Sequence, residues 1–225
     1  MTLYLERLTY YQPEMTKALW ETGYMLTVST LAAILLGLPL GTYLFLTGKQ
    51  GVLANPFLSM IFNSYVNIVR SFPFLLFVIA LIPLTRFLLG SSFGTYAATL
   101  PLSLVAIAIY ARLVEQVLLD VPNETIELAH SLGATSKQLI WNFLYVEARS
   151  GLILSLTSLM ISMVSYSTVM GVIGGGGIGD FAIRYGYQRY EYDIMYTTII
   201  IMITVVMLIQ LLGSKFAKKI DKRKK

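Results

Sequence analysis

Between Ile194 and Gly213 the chain carries no Asp, Glu, Lys or Arg, and four further stretches are nearly as apolar. Each is long enough to cross a bilayer, whose hydrocarbon thickness takes about 20 residues of helix. In lipid every backbone N–H and C=O must be satisfied within its own segment or in a closed barrel. Strand alternation is absent, so the spans are helices. Composition agrees: 56% of the 225 residues are hydrophobic and 13% are charged, too few charges to solvate a soluble domain. The expectation is an all-α membrane protein of one domain, residues 1–225.

Five spans are predicted: Trp20–Leu46, one within Phe57–Leu89, Tyr96–Leu119, Gly151–Ile173 and Ile194–Gly213. An odd number puts the termini on opposite sides of the membrane. Seven of the last eleven residues are basic (Lys215, Lys218, Lys219, Lys222, Arg223, Lys224, Lys225), so residues 214–225 read as a cytoplasmic tail. A lipid-headgroup or partner-binding patch is the alternative. With the tail inside, the loops Thr47–Pro56 and Asp120–Ser150 are cytoplasmic too. That side then holds ten Lys/Arg and the other side five: Arg7, Lys17, Arg86, Arg184 and Arg189. The positive-inside rule therefore places the N-terminus out and the C-terminus in. The first apolar run follows Glu14, Lys17 and Glu21 and is too long for a signal-peptide core. Cysteine is absent, which excludes disulfides.

Several spans carry polar or small residues in a pattern. Asn63, Asn67 and Arg70 fall at i, i+4 and i+7, on one helical face, just before Ser71-Phe72-Pro73. A charge at that depth faces a bundle interior or a water-filled path; otherwise the helix is interfacial and Arg70 snorkels to headgroups. The first span holds Gly37-Leu-Pro-Leu-Gly41, a small-xxx-small pair that lets helices approach, with a kink expected at Pro39. In the fourth span Gly151, Ser155, Ser158, Ser162 and Ser165 share a narrow arc. That stripe is either a packing seam or one wall of a solute path. No internal repeat is visible, so the signature of an inverted-repeat carrier is missing.

Asp120–Ser150 is too polar to span. Asn123 is placed to cap a short helix, and Gly133 suits the left-handed position that ends it. Thr135 and Gln138 form a capping box that starts a second helix. A DNA-binding helix-turn-helix has similar grammar but fails on charge. Lys137 and Arg149 are outnumbered by Asp120, Glu124, Glu127 and Glu147, so no nucleic-acid partner is expected. His130, the one histidine, has no Cys or second His beside it to complete a metal site.

The stretch "ETIELAHSLGATSKQLIWNFL" resembles the cytoplasmic coupling loop of ABC-importer permeases, whose pattern is Glu-Ala-Ala, three residues, Gly, then an apolar stretch. Glu127, Ala129 and Gly133 match; Leu128 departs at the second position, and Val146 and Ser150 stand where related permeases often have prolines. The stretches "NIVRSFPFLLFVIALIPLTR", "ARLVEQVLLDVP" and "YSTVMGVIGGGGIGDFAIRYGYQRY" look like the permease subunit of methionine importers, and the likeness runs over nearly the whole chain.

The resemblance implies a type I importer permease fold with five transmembrane helices and a cytoplasmic coupling helix between spans three and four. It implies a homodimer in a bacterial inner membrane, two copies of a cytoplasmic ABC ATPase, and an extracytoplasmic substrate-binding lipoprotein that delivers methionine. Glu127, Ala129, His130, Gly133 and Ala134 would form the part the ATPase grips. Val169 and Met170, near the outer end of span four, would form the gate, and Asn63, Asn67 and Arg70 would lie along the pathway.

Other signals are weaker. Gly174–Gly179 formally satisfies G-x-G-x-x-G, but a transmembrane helix precedes it where a strand would be needed, so a flexible outer loop is expected, near a docked binding protein. No P-loop motif and no nucleophile–base–acid set occurs, so the chain by itself is read as non-enzymatic and without a cofactor. The rivals are an importer of another small solute and, from a different class, an ATP-independent channel or carrier. The carrier would want a coupling carboxylate at mid-span. Glu21 and Glu115 lie near span ends, and Glu115 is spaced to pair with Arg112.

Overall fold

The structure, a computed structural model, describes the backbone of residues 2–48 and 55–221 and the side chains from residue 6 onward. Lys49 and the last four basic residues of the tail lie outside the described residues. Helix α1 (Thr2–Ala32) passes through a π turn (Ala33–Gly37) into α2 (Leu38–Thr47). Pro39 has no N–H for the Leu35 carbonyl, and the helix absorbs the defect just before it: the Leu38 N–H reaches back five residues to Ala33. The feature predicted as a kink is thus a widened turn. The run Glu6–Thr47 has 42 residues, about 63 Å of helix, twice the hydrocarbon thickness. Its first turns therefore project beyond the bilayer, where Tyr11 and Ala18 pack against Phe181 and Ile194.

Helix α3 (Pro56–Ser71) starts where the Asn55 side chain accepts the Leu58 N–H at 3.2 Å, with Pro56 at the first helical position. It stops because Phe72 precedes proline and takes an extended conformation. Helix α4 (Phe74–Leu89) leaves at 115° to α3. The second span is therefore a broken pair rather than one helix. Among the described residues four helices are long and apolar enough to cross a membrane, and this bent pair, taken as one span, makes five.

Helix α5 (Thr95–Leu119) is the centre of the bundle, and Val105, Ala106, Ala108, Ala111 and Val114 are buried along it. The Gly37–Gly41 pair lies against it. A Cβ at Gly37 would sit 3.0 Å from the Ile107 carbonyl, and one at Gly41 would be 2.7 Å from Val114 Cβ and collide with the Ala111 carbonyl. The predicted close helix approach is present, and α5 is its partner.

Helix α6 (Asn123–Ser131) is followed by α7 (Ser136–Gln138), a π turn (Leu139–Leu144) and α8 (Tyr145–Val172). The second helix of the polar segment is not separate from span four: Ser136–Val172 runs as 37 continuous residues. Asn123 is not the cap of α6 but its first residue, with Pro122 at the cap position. Helix α9 (Gly177–Phe181) continues through a π turn (Ala182–Tyr187), and α10 (Tyr192–Ile220) closes the chain. α10 packs beside α8 but exposes Ile199, Ile203, Met207 and Leu211, as a helix facing lipid or another subunit does.

Candidate functional site

The polar segment folds as a rigid hairpin. Gly133 has φ +68°, and open space surrounds the position a Cβ would take, so the backbone conformation rather than crowding calls for glycine. The Gly133 N–H donates to the His130 carbonyl at 2.9 Å and the Ala134 N–H to the Ala129 carbonyl at 3.0 Å. This pair of bonds is the Schellman ending of a helix, and Ala129 (buried) and Ala134 (partly buried) form its usual apolar contact on the main core. Two residues later the capping box closes: the Gln138 N–H donates to Thr135 Oγ1 at 3.4 Å and the Thr135 N–H to Gln138 Oε1 at 2.8 Å. The five coupling candidates therefore divide. Ala129, Gly133 and Ala134 fix the shape, while Glu127 and His130 are exposed.

Beside them stands a feature that motif matching passes over. Leu128 and Leu132 are exposed on the hairpin, Leu132 at 69%, with Trp141 exposed on the following helix. Apolar side chains at i and i+4 on a short polar helix, at the end of a membrane bundle, make a contact surface. Leu128, the departure from the family pattern, is one of them.

The Asn63–Asn67–Arg70 face does not act as one group. Arg112 of α5 takes both asparagines: its Nη2 donates to Asn67 Oδ1 at 2.7 Å and to Asn63 Oδ1 at 3.2 Å. Its Nη1 donates to Glu115 Oε2 at 2.5 Å, the pair that the spacing predicts. This network ties α3 to α5. Arg70 is left at the C-terminal end of α3 and lines a separate cavity of about 290 Å³ with Phe72, Phe74, Ser162 and Tyr166. The serine stripe also divides. Ser155 is buried, a Cβ at Gly151 would press on Val117, Ser158 and Ser165 are exposed, and Ser162 reaches the Arg70 cavity.

At the other end of the bundle the glycine run is not the flexible loop expected. Gly174, Gly176 and Gly177 have positive φ, and the turn is pinned on several sides. The Gly177 N–H donates to Glu21 Oε2 at 2.8 Å, the Ile178 N–H to Thr22 Oγ1 at 2.9 Å, and the Gly94 N–H to the Gly174 carbonyl at 2.9 Å. Gly179 lies where a Cβ would be 2.5 Å from the Thr168 carbonyl. The glycines serve close packing of α9 on α1 and α8. Of the two gate candidates nearby, Met170 is 4% exposed within the protomer's own core, and Val169 is half-buried. Further out, Arg189 donates to the Tyr11 hydroxyl at 3.3 Å, which donates to Glu191 at 2.9 Å. The bond to Tyr11 leads in raising the Arg189 pKa above its already high ordinary value.

Residues 33–225 match the family described as the binding-protein-dependent transport system inner membrane component. The chain belongs to this family. Among relatives, it is 42% identical over 206 residues, 92% of each chain, to the probable D-methionine transport system permease protein MetI of Vibrio cholerae. It is 36% identical over 210 residues to the methionine import system permease protein MetP of Bacillus subtilis, covering 93% of this chain and 95% of that one. Its fold superimposes with a TM-score of 0.91 on a chain of the MetNI methionine ABC transporter in inward-facing conformations, at 34% identity over 94% of this chain and 98% of that one. A chain of an amino acid ABC transporter solved with histidines shares the fold alone, at 20% identity and a TM-score of 0.74. The residues matched to this family include the Gly133 hairpin, the α3–α4 break and the glycine turn. The first 32 residues, with Glu21, precede the match.

Proposed function

We propose that the chain is the permease subunit of an ATP-driven methionine importer, built as a homodimer on two copies of a cytoplasmic ABC ATPase and fed by an extracytoplasmic binding lipoprotein. The observation that carries this reading is the TM-score of 0.91 at 34% identity, over 94% of the chain, to a methionine ABC transporter. Relatives described as methionine permeases over nine-tenths of the length support the substrate. ATP is bound and hydrolysed on the partner subunit, and the permease itself is non-catalytic.

The coupling hairpin supports the mechanism. α6 lies in a groove of the ATPase, with Leu128 and Leu132 as apolar anchors and Glu127 and His130 as the polar rim. Ala129 and Ala134 seat α6 on the core, and the hairpin passes without a break into α8. When ATP draws the two ATPase subunits together, α6 moves with them and α8 carries that displacement across the membrane. The drive is a difference in contacts between inward-facing and outward-facing states. The ATPase side is cytoplasmic and the N-terminus is outside, in keeping with the Lys/Arg asymmetry. At the outer end Val169 closes the path on the dimer axis, with Met170 packed behind it. The path passes the α3–α4 break at Arg70, while Asn63 and Asn67 hold α3 in place.

The test is binding-protein-stimulated ATP hydrolysis by the permease–ATPase complex in lipid nanodiscs. Stimulation by methionine-loaded binding protein is expected; a permease that neither retains the ATPase nor answers to the binding protein would overturn the assignment.

A further inference from the structure

The cavity at the α3–α4 break combines three features. Arg70 lines it and, among the described residues, has no hydrogen-bond or carboxylate partner, whereas Arg112, Arg184 and Arg7 each have one. Arg70 is exposed at the bend of a spanning pair, and a charge in such a segment without a partner persists where water or a ligand reaches it. Second, among the described residues no acidic side chain lines the cavity, so its field favours an anion. Phe74, the first residue of α4, is on its wall, and the positive end of that helix adds to the same field. Third, apart from Ser162 the rest of the wall is aromatic and aliphatic: Val69, Phe72, Phe74, Val105, Ile109 and Tyr166, with the Phe74 and Tyr166 rings tilted by 37° at 4.5 Å between centroids. Ser162 donates its O–H to the Ser158 carbonyl at 3.0 Å, which leaves its oxygen as an acceptor.

Resting on the importer reading above, we propose that this cavity is a transit site for a zwitterionic amino acid. Arg70 holds the substrate carboxylate, the Ser162 oxygen accepts from the ammonium, and the Phe72–Phe74–Tyr166 wall takes the thioether. Sulfur makes favourable contacts with aromatic ring edges, and a volume of about 290 Å³ suits one small molecule. With no carboxylate opposing the ammonium the site is weak, as a transit site must be for its ligand to leave.

The chain has no cysteine, so Ser162→Cys puts a single thiol in the cavity. In permease–ATPase complexes, with each rate divided by that reagent's rate on a small thiol in solution, labelling of that introduced thiol by an anionic sulfonatoethyl methanethiosulfonate is expected to outpace the cationic trimethylammonioethyl reagent by about tenfold or more. Adding Arg70→Gln should bring that ratio near one. Millimolar L-methionine should slow labelling and methionine amide, which lacks the carboxylate, should not. Equal rates for the two reagents would overturn the proposal. So would protection that follows phosphatidylglycerol in the vesicles and ignores methionine, since the cavity would then hold a lipid phosphate. In assembled three-component vesicles Arg70→Gln should reduce methionine uptake about tenfold, with Arg70→Lys retaining more; equal uptake by both variants and the unmodified importer would overturn the role of Arg70. Absent methionine uptake by the unmodified importer would instead overturn the substrate reading, and the reagent-charge ratio, which needs no methionine, would still test the cavity.

Discussion

The Glu21 carboxylate and the Gly177 N–H, 156 positions apart in the chain, meet at 2.8 Å. One side chain on the long first helix satisfies the free N-terminal end of α9 and fixes the glycine turn to α1. A charged acceptor to a backbone N–H is worth about 1.5–3 kcal/mol, and Glu21 is 22% exposed at its side chain, which favours the lower end. Glu21→Ala should lower the thermal midpoint of the detergent-solubilised protein by about 4 °C, with Glu21→Gln intermediate. An unchanged midpoint would mean the turn holds itself.

The glycine seam between α2 and α5 gives a contrast in sign. Gly41→Ala forces a methyl into the Ala111 carbonyl and Val114 and should destabilise by about 1–3 kcal/mol through overpacking. Gly23 has nothing within 4 Å of its absent Cβ, so Gly23→Ala should be neutral or stabilising by up to about 1 kcal/mol. Thermal unfolding of the two variants side by side checks both. Equal effects would remove the close-approach argument.

At the Gly133 hairpin, backbone shape and the proposed ATPase contact separate by mutation. Gly133→Ala should strain the left-handed turn by about 1–2 kcal/mol, and Gly133→Asn should be milder because Asn tolerates that conformation. Leu128→Ser with Leu132→Ser leaves the backbone alone but removes the apolar anchors, and each fully buried leucine is worth about 1.5–3 kcal/mol. ATPase affinity, measured by co-purification and titration in nanodiscs, should fall at least about tenfold for the leucine pair, with membrane insertion intact. Undiminished affinity would place the ATPase contact elsewhere.

Arg112 and Arg70 are expected to behave oppositely in stability. Arg112→Ala strips Asn63 and Asn67 of a donor and leaves Glu115 unpaired on α5. A loss of about 1.5–3 kcal/mol is expected, since the group is only partly buried. Arg70→Ala removes a side chain with no partner among the described residues and should leave the thermal midpoint within about a degree. A matching loss at both positions would contradict the division of this face.

Much of the architecture was readable in the residues, for identifiable reasons. Hydropathy located the spans because lipid leaves backbone groups no alternative to helix. Gly133, Thr135 and Gln138 were readable because capping chemistry is local. What escaped were relations between distant elements. Three polar residues on one face of α3 implied a single group, but a periodicity on one helix cannot reveal that Arg112 on another claims two of them. The run Gly174–Gly179 suggested flexibility by composition, whereas the glycines are there because α1 and α8 come too close for side chains. Leu128 looked like a departure from a motif, and only the exposure of Leu128 and Leu132 marks the two as a surface.

The most direct test of the account is uptake of labelled methionine into vesicles containing this chain, its ATPase and its binding protein. Accumulation that requires all three components and ATP is the predicted result. Uptake by this chain alone, indifferent to ATP, would contradict it.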